Sequence, residues 1–160
     1  MQKVYFDKMS LADLDVVFQI EVDNYPIYWS KNIMKDCINA GYHCITVKQK
    51  SPESEKIIGY AFLMTAYDES HLLNMCIDYR HQGKGLGRKL LRYLETICQY
   101  NKSQTFLLEV RESNPNAQHL YQSFGFSQIG LRKNYYKCIK GREHAIVMTK
   151  SLAIVSTHLS

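Results

Sequence analysis

Hydrophobic residues recur with a helical period in the N-terminal part of the chain and predict two helices after a short strand. The strand covers residues 4–6, and apolar positions spaced three and four apart then predict a helix over residues 11–25. Pro26 cannot continue that helix because it has no amide hydrogen to donate. Ser30 is a preferred N-cap residue, so a second helix is predicted to begin there and to end before Gly41.

The middle of the chain changes to short β-branched and aromatic runs that are typical of strands. Strands are predicted at residues 43–48, 57–66 and 71–77, with a polar loop over 48–56 and a tight turn at 68–69. Since short connections join antiparallel neighbours, this part of the chain predicts an antiparallel meander.

The second half of the chain alternates between helical and strand patterns. Apolar residues spaced near 3.6 predict a helix over residues 86–98, a buried strand is predicted at 105–110, and two more strands are predicted near 127–136 and 144–151. A further helix has clear ends, with Asn114 as its cap, Pro115 at its first position and Gly125 just past its last residue.

These elements predict a mixed α/β fold in which about four helices flank one mostly antiparallel central sheet of about seven strands. The chain has 160 residues, which is enough for one domain built on one core. We therefore expect a single domain over residues 1–151. The tail, residues 152–160, carries little pattern.

Composition is that of an ordinary globular protein, with 46% hydrophobic and 22% charged residues. Lys and Arg outnumber Asp and Glu by 20 − 15, which gives a net charge of +5. This mild excess is compatible with an anionic ligand but does not identify one. No uncharged stretch approaches the ~18 residues of a membrane-spanning helix, and charges interrupt the N-terminus, so we expect a cytoplasmic protein without membrane contact.

Cysteines and histidines indicate neither disulfides nor a metal site. The five cysteines form no CxxC pair, and their odd number favours reduced thiols in a reducing compartment. The six histidines lack the spacing of metal ligands, so no metal is expected.

The strongest candidate for a binding site is the glycine-rich segment 82–87, Gln-Gly-Lys-Gly-Leu-Gly, which leads directly into a helix. Glycines at alternate positions let the backbone approach a ligand closely, because no Cβ intervenes. The free amides and the positive end of the helix dipole then favour a phosphate group. The segment therefore predicts a phosphate site, although a plain turn between strand and helix is an alternative.

Three phosphate-binding motifs compete for this segment. A nucleotide P-loop needs GxxxxGK[ST], and this motif fails because the lysine precedes Gly85 and no Ser or Thr follows Lys89. A dinucleotide loop needs GxGxxG, whereas these glycines give GxGxG. Glu109 does lie about 20 residues further on, as a ribose-binding acid would, but the antiparallel meander argues against that fold. The third motif, Gln/Arg-x-x-Gly-x-Gly/Ala, is met by Gln82, Gly85 and Gly87.

This third motif resembles the coenzyme A pyrophosphate loop of the GCN5-related N-acetyltransferases. Further similar segments are LEVRESN at 108–114, Asn-x-x-Ala-x-x-Leu-Tyr at 114–121, FGF at 124–126, RKNYY at 132–136 and GREHA at 141–145. They most resemble the RimI branch of that family, which acetylates the N-terminal α-amine of a small-subunit ribosomal protein. The similarity spans residues 4–148. It departs from the family where two residues separate Pro26 from Trp29.

The resemblance implies an acetyl-CoA-dependent N-acetyltransferase that moves acetyl directly to the N-terminal α-amine of a protein within a ternary complex. It implies a small-subunit ribosomal protein as partner, no direct nucleic-acid binding, and a monomer or weak dimer. Two alternatives remain open. One is the same chemistry on a lysine, a polyamine or a small amine, and the other is a non-catalytic acyl-CoA-binding module.

The resemblance also implies the residues that hold the two substrates. The implied coenzyme-binding residues are Met75, Cys76, Ile77, Gln82, Gly83, Lys84, Gly85, Leu86, Gly87, Arg88, Asn114 and Tyr121. The first three would act through backbone groups of a strand that splays away from its neighbour. Trp29, Tyr135 and Tyr136 would line the peptide groove, although the basic and aromatic segment 132–142 has RNA stacking as an alternative.

Glu109 is the candidate general base. An amine must be neutral to attack a thioester, and a carboxylate within reach can take its proton. Glu109 is the one charged residue in the apolar run 105–110, and strand alternation sets its side chain opposite to Leu108 and Val110. The alternative is an edge-strand carboxylate that pairs with Arg111.

Tyr121 is the candidate proton donor to the departing thiolate, because a phenol can donate while its ring packs in the core. The helical pattern alone favours a plain core tyrosine, and the resemblance of segment 114–121 to the family favours the donor. Cys76 as an acyl-carrying nucleophile is a minor alternative, since no histidine lies near it in sequence.

Overall fold

The computed structural model describes residues 2–153 and contains seven strands and four helices. The strands are β1 (Lys3–Lys8), β2 (His43–Lys50), β3 (Glu55–Ala66), β4 (Glu69–Ile77), β5 (Thr105–Arg111), β6 (Ser127–Cys138) and β7 (Gly141–Ser151). The helices are α1 (Leu14–Asn24), α2 (Lys31–Asn39), α3 (Leu86–Tyr100) and α4 (Pro115–Phe124). The predicted mixed α/β fold is confirmed.

The strands form one sheet in the order β1-β2-β3-β4-β5-β7-β6. Among the described residues every strand pairing is antiparallel except that of β4 with β5. The pairing of β4 with β5 is parallel because α3 connects the two strands and brings the chain back to the end of the sheet at which β4 begins.

Helices cover both faces of the sheet, and each face has its own apolar core. On one face α1 and α2 contribute residues such as Val17 and Met34, which pack with Tyr60 and Phe62 of β3. On the other face the apolar stripe of α3 and the ring of Phe124 in α4 pack against alternate residues of β2 to β5. Alternation along the strands sends successive side chains to opposite faces, so the two cores remain separate.

The helix caps that the sequence predicts are present. The Ser30 hydroxyl accepts a hydrogen bond from the Ile33 amide at 3.2 Å, and the Asn114 side chain accepts one from the Ala117 amide at 3.2 Å. Gly125 adopts φ +113°, which ends α4 in a left-handed conformation that favours glycine.

Several boundaries differ from the sequence prediction, including those of a loop, a turn and a helix. The polar loop predicted over 48–56 is only residues 51–54, because backbone pairing extends β2 to Lys50 and begins β3 at Glu55. The turn predicted at 68–69 lies at 67–68, and Glu69 already pairs with Ala66. The helix predicted from residue 11 begins with a 3-10 turn and becomes α-helical at Leu14.

The single domain over residues 1–151 stays a prediction. Of the predicted tail, Leu152 packs against the core beside α3 and α4, and residues 154–160 lie outside the described residues.

Strands β4 and β5 pair only at their beginnings. Their register runs from Glu69 with Thr105 to Leu72 with Leu108, and the two strands then separate. The later part of β4 still pairs with β3, and the later part of β5 still pairs with β7. The sheet therefore splits in its middle and leaves backbone groups on both sides of the gap.

Candidate active site

A cleft of about 630 Å³ occupies the gap between β4 and β5. It extends from the glycine segment at the start of α3 to the side chains of Glu21 and Trp29 near α1. Of the site residues that the sequence predicts, all line the cleft except Lys84 and Tyr135. The fold thus brings together residues that lie up to about a hundred positions apart in sequence, as non-local strand pairing does.

The glycine segment presents bare backbone at one end of the cleft. Gly83 and Gly85 adopt φ +79° and +78°, and a Cβ added to either would meet no protein atom within 4 Å. The first hydrogen bond of α3 joins the Lys89 amide to the Gly85 carbonyl, so the amides of Leu86, Gly87 and Arg88 precede the helical ladder. These donors and the helix dipole make an anion-binding end.

The side chains around this segment brace it. The side-chain amide of Gln82 donates a hydrogen bond to the Ile77 carbonyl at 2.7 Å, which ties the segment to the end of β4. The Arg88 guanidinium donates to the Ser123 hydroxyl at 3.0 Å and so joins α3 to α4. Gly87 permits this packing, because an added Cβ would lie 3.1 Å from Leu120.

Backbone groups at the end of β4 face the cleft. The Tyr25 hydroxyl donates to the Met75 carbonyl at 2.9 Å, and this carbonyl, like that of Ile77, points away from β3. In an antiparallel pair the N–H and C=O of one residue point to the same side. The amides of Met75 and Ile77 are therefore aimed into the gap that β5 has left.

Glu109 lies in an interior strand. β5 has β4 on one side and β7 on the other, but its pairing with β4 ends at Leu108. Glu109 therefore pairs with β7 alone and faces the open gap on its other side. Leu108 and Val110 point into the core, and Glu109 points to the opposite face, where its side chain is 7% exposed. A carboxylate with so little solvent contact depends on protein groups for its interactions.

The predicted alternative partner, Arg111, is engaged elsewhere: it donates to the Lys137 carbonyl at 2.8 Å and pairs with Glu143 at 3.4 Å. The carboxylate of Glu109 instead meets Arg132 of β6, whose Nε lies 3.2 Å from Oε1. The Nε2 atom of His71 in β4 lies 3.9 Å from the same oxygen.

Tyr121 lines the cleft from α4, and its ring packs edge-on against Phe126 with centroids 5.8 Å apart. Burial raises the pKa of its phenol, so the proton stays on the oxygen at neutral pH. Both predicted readings of Tyr121 are therefore compatible with its position, because the ring lies in the core while the residue borders the cleft.

Cys76 lies at the floor of the cleft among Glu21, Tyr25 and Tyr60. Burial raises the pKa of its thiol to about 12, so the thiolate that a nucleophile requires is scarce at neutral pH. This environment argues against the acyl-cysteine alternative.

Of the three predicted peptide-groove residues, two border the cleft and one does not. The ring of Trp29 packs on Phe62 with centroids 5.3 Å apart and borders the cleft. Tyr136 also borders the cleft and lies under the guanidinium of Arg111, 4.4 Å from the ring centroid. Tyr135 does not line it and is 44% exposed.

Sequence reasoning missed Glu21, a buried carboxylate that lines the cleft and is 2% exposed. It accepts hydrogen bonds from the Tyr60 hydroxyl, from the Asn74 side chain at 2.8 Å and from the Trp29 amide at 2.9 Å. Glu21 therefore joins α1, β3, β4 and the connection to α2. Its signal was a single charge on the apolar stripe of α1, beside Val17.

The described residues, 2–153, contain neither a metal site nor a membrane-spanning helix. No group of three or more His, Cys, Asp or Glu side chains there is arranged to hold a metal ion. No helix in the described part of the chain is long and apolar enough to cross a membrane.

Comparison with known proteins identifies the class. Residues 24–155 match the acetyltransferase (GNAT) domain family. The match covers more than half of the chain, and the chain therefore belongs to the GNAT acetyltransferase family. The prediction of an acetyl-CoA-dependent N-acetyltransferase is confirmed.

Relatives within this family carry a more specific name. The ribosomal protein bS18-alanine N-acetyltransferase of Haemophilus ducreyi is 39% identical over 137 residues, which are 85% of this chain and 92% of the relative. The protein of that name from Escherichia coli K12 is 32% identical over 146 residues, 91% of this chain and 96% of the relative. The crystal structure of the Escherichia coli ribosomal-protein-S18-alanine N-acetyltransferase matches with a TM-score of 0.86 at 29% identity, over 99% of each chain. The predicted similarity to the RimI branch is confirmed.

Proposed function

We propose that this protein acetylates the N-terminal α-amine of an alanine on ribosomal protein bS18, using acetyl-CoA in a direct transfer. The observation that carries the proposal is the buried Glu109 carboxylate in the same cleft as the glycine segment of α3. A module that only binds acyl-CoA needs the glycine segment and has no use for a buried carboxylate.

The coenzyme would lie along the gap between β4 and β5. Its pyrophosphate fits the amides of Leu86, Gly87 and Arg88, since Gly83 and Gly85 leave open space where other residues would have a Cβ. Lys84 adds positive charge next to this end. Its pantetheine arm and thioester would follow the edge of β4 at Met75, Cys76 and Ile77, and Asn114 would line the opposite wall.

The transfer needs two proton movements. Glu109 takes a proton from the amine, the amine nitrogen bonds to the thioester carbon, and the carbon–sulfur bond breaks. Tyr121 gives its proton to the departing thiolate, and burial keeps that proton available. The Met75 amide, aimed into the gap, would donate to the carbonyl oxygen as negative charge builds on it.

The chemistry favours an α-amine over a lysine. An α-amine has a pKa near 7.7–8.0 and a lysine near 10.4, so at neutral pH a far larger fraction of α-amine is already neutral. The rate with a peptide should rise with pH and level off above about 8, when the amine is deprotonated. Trp29 and Tyr136 border the cleft and would contact the first residues of the peptide, with Tyr135 beyond them.

The setting of this reaction is the cytoplasm, where bacterial ribosomal proteins are found. We expect the protein N-terminus to be recognised without direct nucleic-acid or membrane binding, by a monomer or weak dimer and without a metal.

The test is acetylation of a synthetic peptide with the N-terminal sequence of bS18, beginning with alanine. Tandem mass spectrometry should locate the acetyl group on the α-amine, and the same peptide with a formylated N-terminus should remain unmodified. Glu109→Gln should lower kcat by about one-hundred-fold while calorimetry shows unchanged coenzyme affinity, as for loss of a general base. Acetylation of a lysine in the formylated peptide would contradict the proposed acceptor.

A further inference from the structure

His71 lies directly behind the Glu109 carboxylate. It belongs to β4 within the short stretch that pairs with β5, in register with Leu107. Its Nε2 atom lies 3.9 Å from Oε1 of Glu109. His71 does not line the cleft, whereas Glu109 does. The carboxylate therefore stands between the cleft on one side and the imidazole on the other.

As the proposed general base, Glu109 must release the proton that it takes from the amine before the next turnover. Its side chain is only 7% exposed, so water has little direct access to it. Arg132, with Nε 3.2 Å from Oε1, forms an ion pair with the carboxylate. A proton taken from the amine needs an acceptor that connects to solvent before the next turnover.

His71 has the properties of such an acceptor. Its side chain is 22% exposed, three times as much as that of Glu109. Burial lowers the pKa of the imidazole from its usual value, so it is neutral at physiological pH and able to accept. The charged groups that face it are Glu109 on β5, Arg132 on β6 and Glu69 on its own strand. The two carboxylates favour the charged imidazole and the arginine disfavours it.

We propose that His71 relays the proton of the acceptor amine from the Glu109 carboxyl group to solvent. The proposal rests on the proposed role of Glu109 as the general base. The N–H bond of the amine breaks as the carboxylate gains the proton, the carboxyl group passes it to a nitrogen of His71, and the imidazolium releases it to water. The 3.9 Å separation is longer than a hydrogen bond, so the transfer requires the two side chains to move closer together or to take a water between them.

His71 touches neither substrate in this scheme and acts through Glu109. Its loss should therefore lower kcat without weakening the binding of peptide or coenzyme. A merely structural histidine behaves differently, because its removal changes stability and its effect does not respond to added bases.

The experiment compares His71→Gln with wild-type protein and with His119→Gln, a matched change at an exposed position of α4. Steady-state acetylation of the peptide is measured between pH 6 and 9 with increasing imidazole at constant ionic strength. We expect His71→Gln to lower kcat by roughly tenfold with KM nearly unchanged, and imidazole to restore much of the loss. Wild-type protein and His119→Gln should not respond to imidazole.

Two results would overturn the relay. One is wild-type kcat in His71→Gln across the pH range. The other is a loss of kcat that imidazole does not restore, with or without a lowered melting temperature. Failure of the proposed function is distinct from either, because wild-type protein itself would then leave the peptide unmodified or modify only a lysine.

Discussion

Two buried carboxylates line the same cleft, and their surroundings give them different tasks. Glu21 accepts hydrogen bonds from Tyr60, Asn74 and Trp29, which satisfies its charge and fixes one wall of the cleft. Glu109 meets one arginine, the phenol of Tyr135 and, more distantly, one histidine. A carboxylate that already accepts three hydrogen bonds is poorly suited to exchange protons, so Glu109 is the better base and Glu21 the better anchor.

The proposed role of the Tyr121 hydroxyl can be tested by removing that single group. Tyr121→Phe keeps the ring that packs against Phe126 and removes only the hydroxyl that we propose as the proton donor to the thiolate. We expect kcat to fall at least about tenfold while the melting temperature stays unchanged. Kinetics that follow release of free coenzyme A thiol measure the first quantity, and thermal unfolding measures the second.

The matched control is Tyr93→Phe, which removes a hydroxyl from α3 on a ring that packs against Phe6 outside the cleft. It should keep wild-type kinetics. Wild-type kcat in Tyr121→Phe would return Tyr121 to a purely structural role.

At the scale of elements, the start of α3 favours a binding site over a plain turn at the glycine segment. Two glycines with positive φ bring the chain into the helix, and the helix begins without a side-chain cap. The amides of the first turn have no side-chain cap, and this end of the helix borders the cleft. We propose that an anion in the cleft is the partner of these amides, as the Ser30 hydroxyl is the partner of the Ile33 amide in α2.

Substitutions at Gly85 and Gly41 distinguish the effect of backbone strain from the effect of a lost ligand contact. Both have φ near +79°, and an added Cβ at either meets no protein atom within 4 Å. Gly85→Val and Gly41→Val should therefore destabilise the fold similarly, by roughly 1–2 kcal/mol for a left-handed residue. Only Gly85→Val should abolish coenzyme A binding by calorimetry, because its side chain would enter the space of the pyrophosphate. Equal affinity in the two variants would mean that the coenzyme lies elsewhere.

For the whole molecule, the decisive feature is the division of the sheet. Strands β1 to β4 and strands β5, β7 and β6 are joined within the sheet only by the short parallel pairing that ends at Leu72 and Leu108. The core beneath α3 and α4 spans both parts and holds them together. A ligand in the gap contacts both parts at once and should bind the folded chain only.

Coenzyme A should therefore raise the melting temperature of the whole protein. At one hundred times its dissociation constant, a ligand that binds only the folded state adds about 2.7 kcal/mol. For a chain of this size that corresponds to a rise of roughly 5–10 °C in thermal unfolding. Gly85→Val should show no rise, and Gly41→Val should show the wild-type rise. A wild-type melting temperature that coenzyme A leaves unchanged would contradict binding in the gap.

Much of the fold follows from local pattern. The stripe of α3, the caps Ser30 and Asn114 and the turn at Gly125 are short-range signals, and the structure has each of them. Most of the boundary errors lie where pairing between strands decides, as at the loop predicted over 48–56, which β2 and β3 shorten through their backbone hydrogen bonds. Hydrogen bonds of that kind depend on a partner strand and leave no mark on residue type.

The sequence by itself determined which elements form, which faces they bury and which segment can approach a phosphate, because period, caps and glycine spacing act over a few residues. Only the tertiary structure decided that β4 and β5 separate after four pairs and that Glu109 lies just past the last of them. It also decided that Arg132 and His71 are the partners of Glu109, and that Glu21 fixes the opposite wall. These contacts join residues far apart in the chain, so their geometry exists only once the strands have been ordered in the sheet.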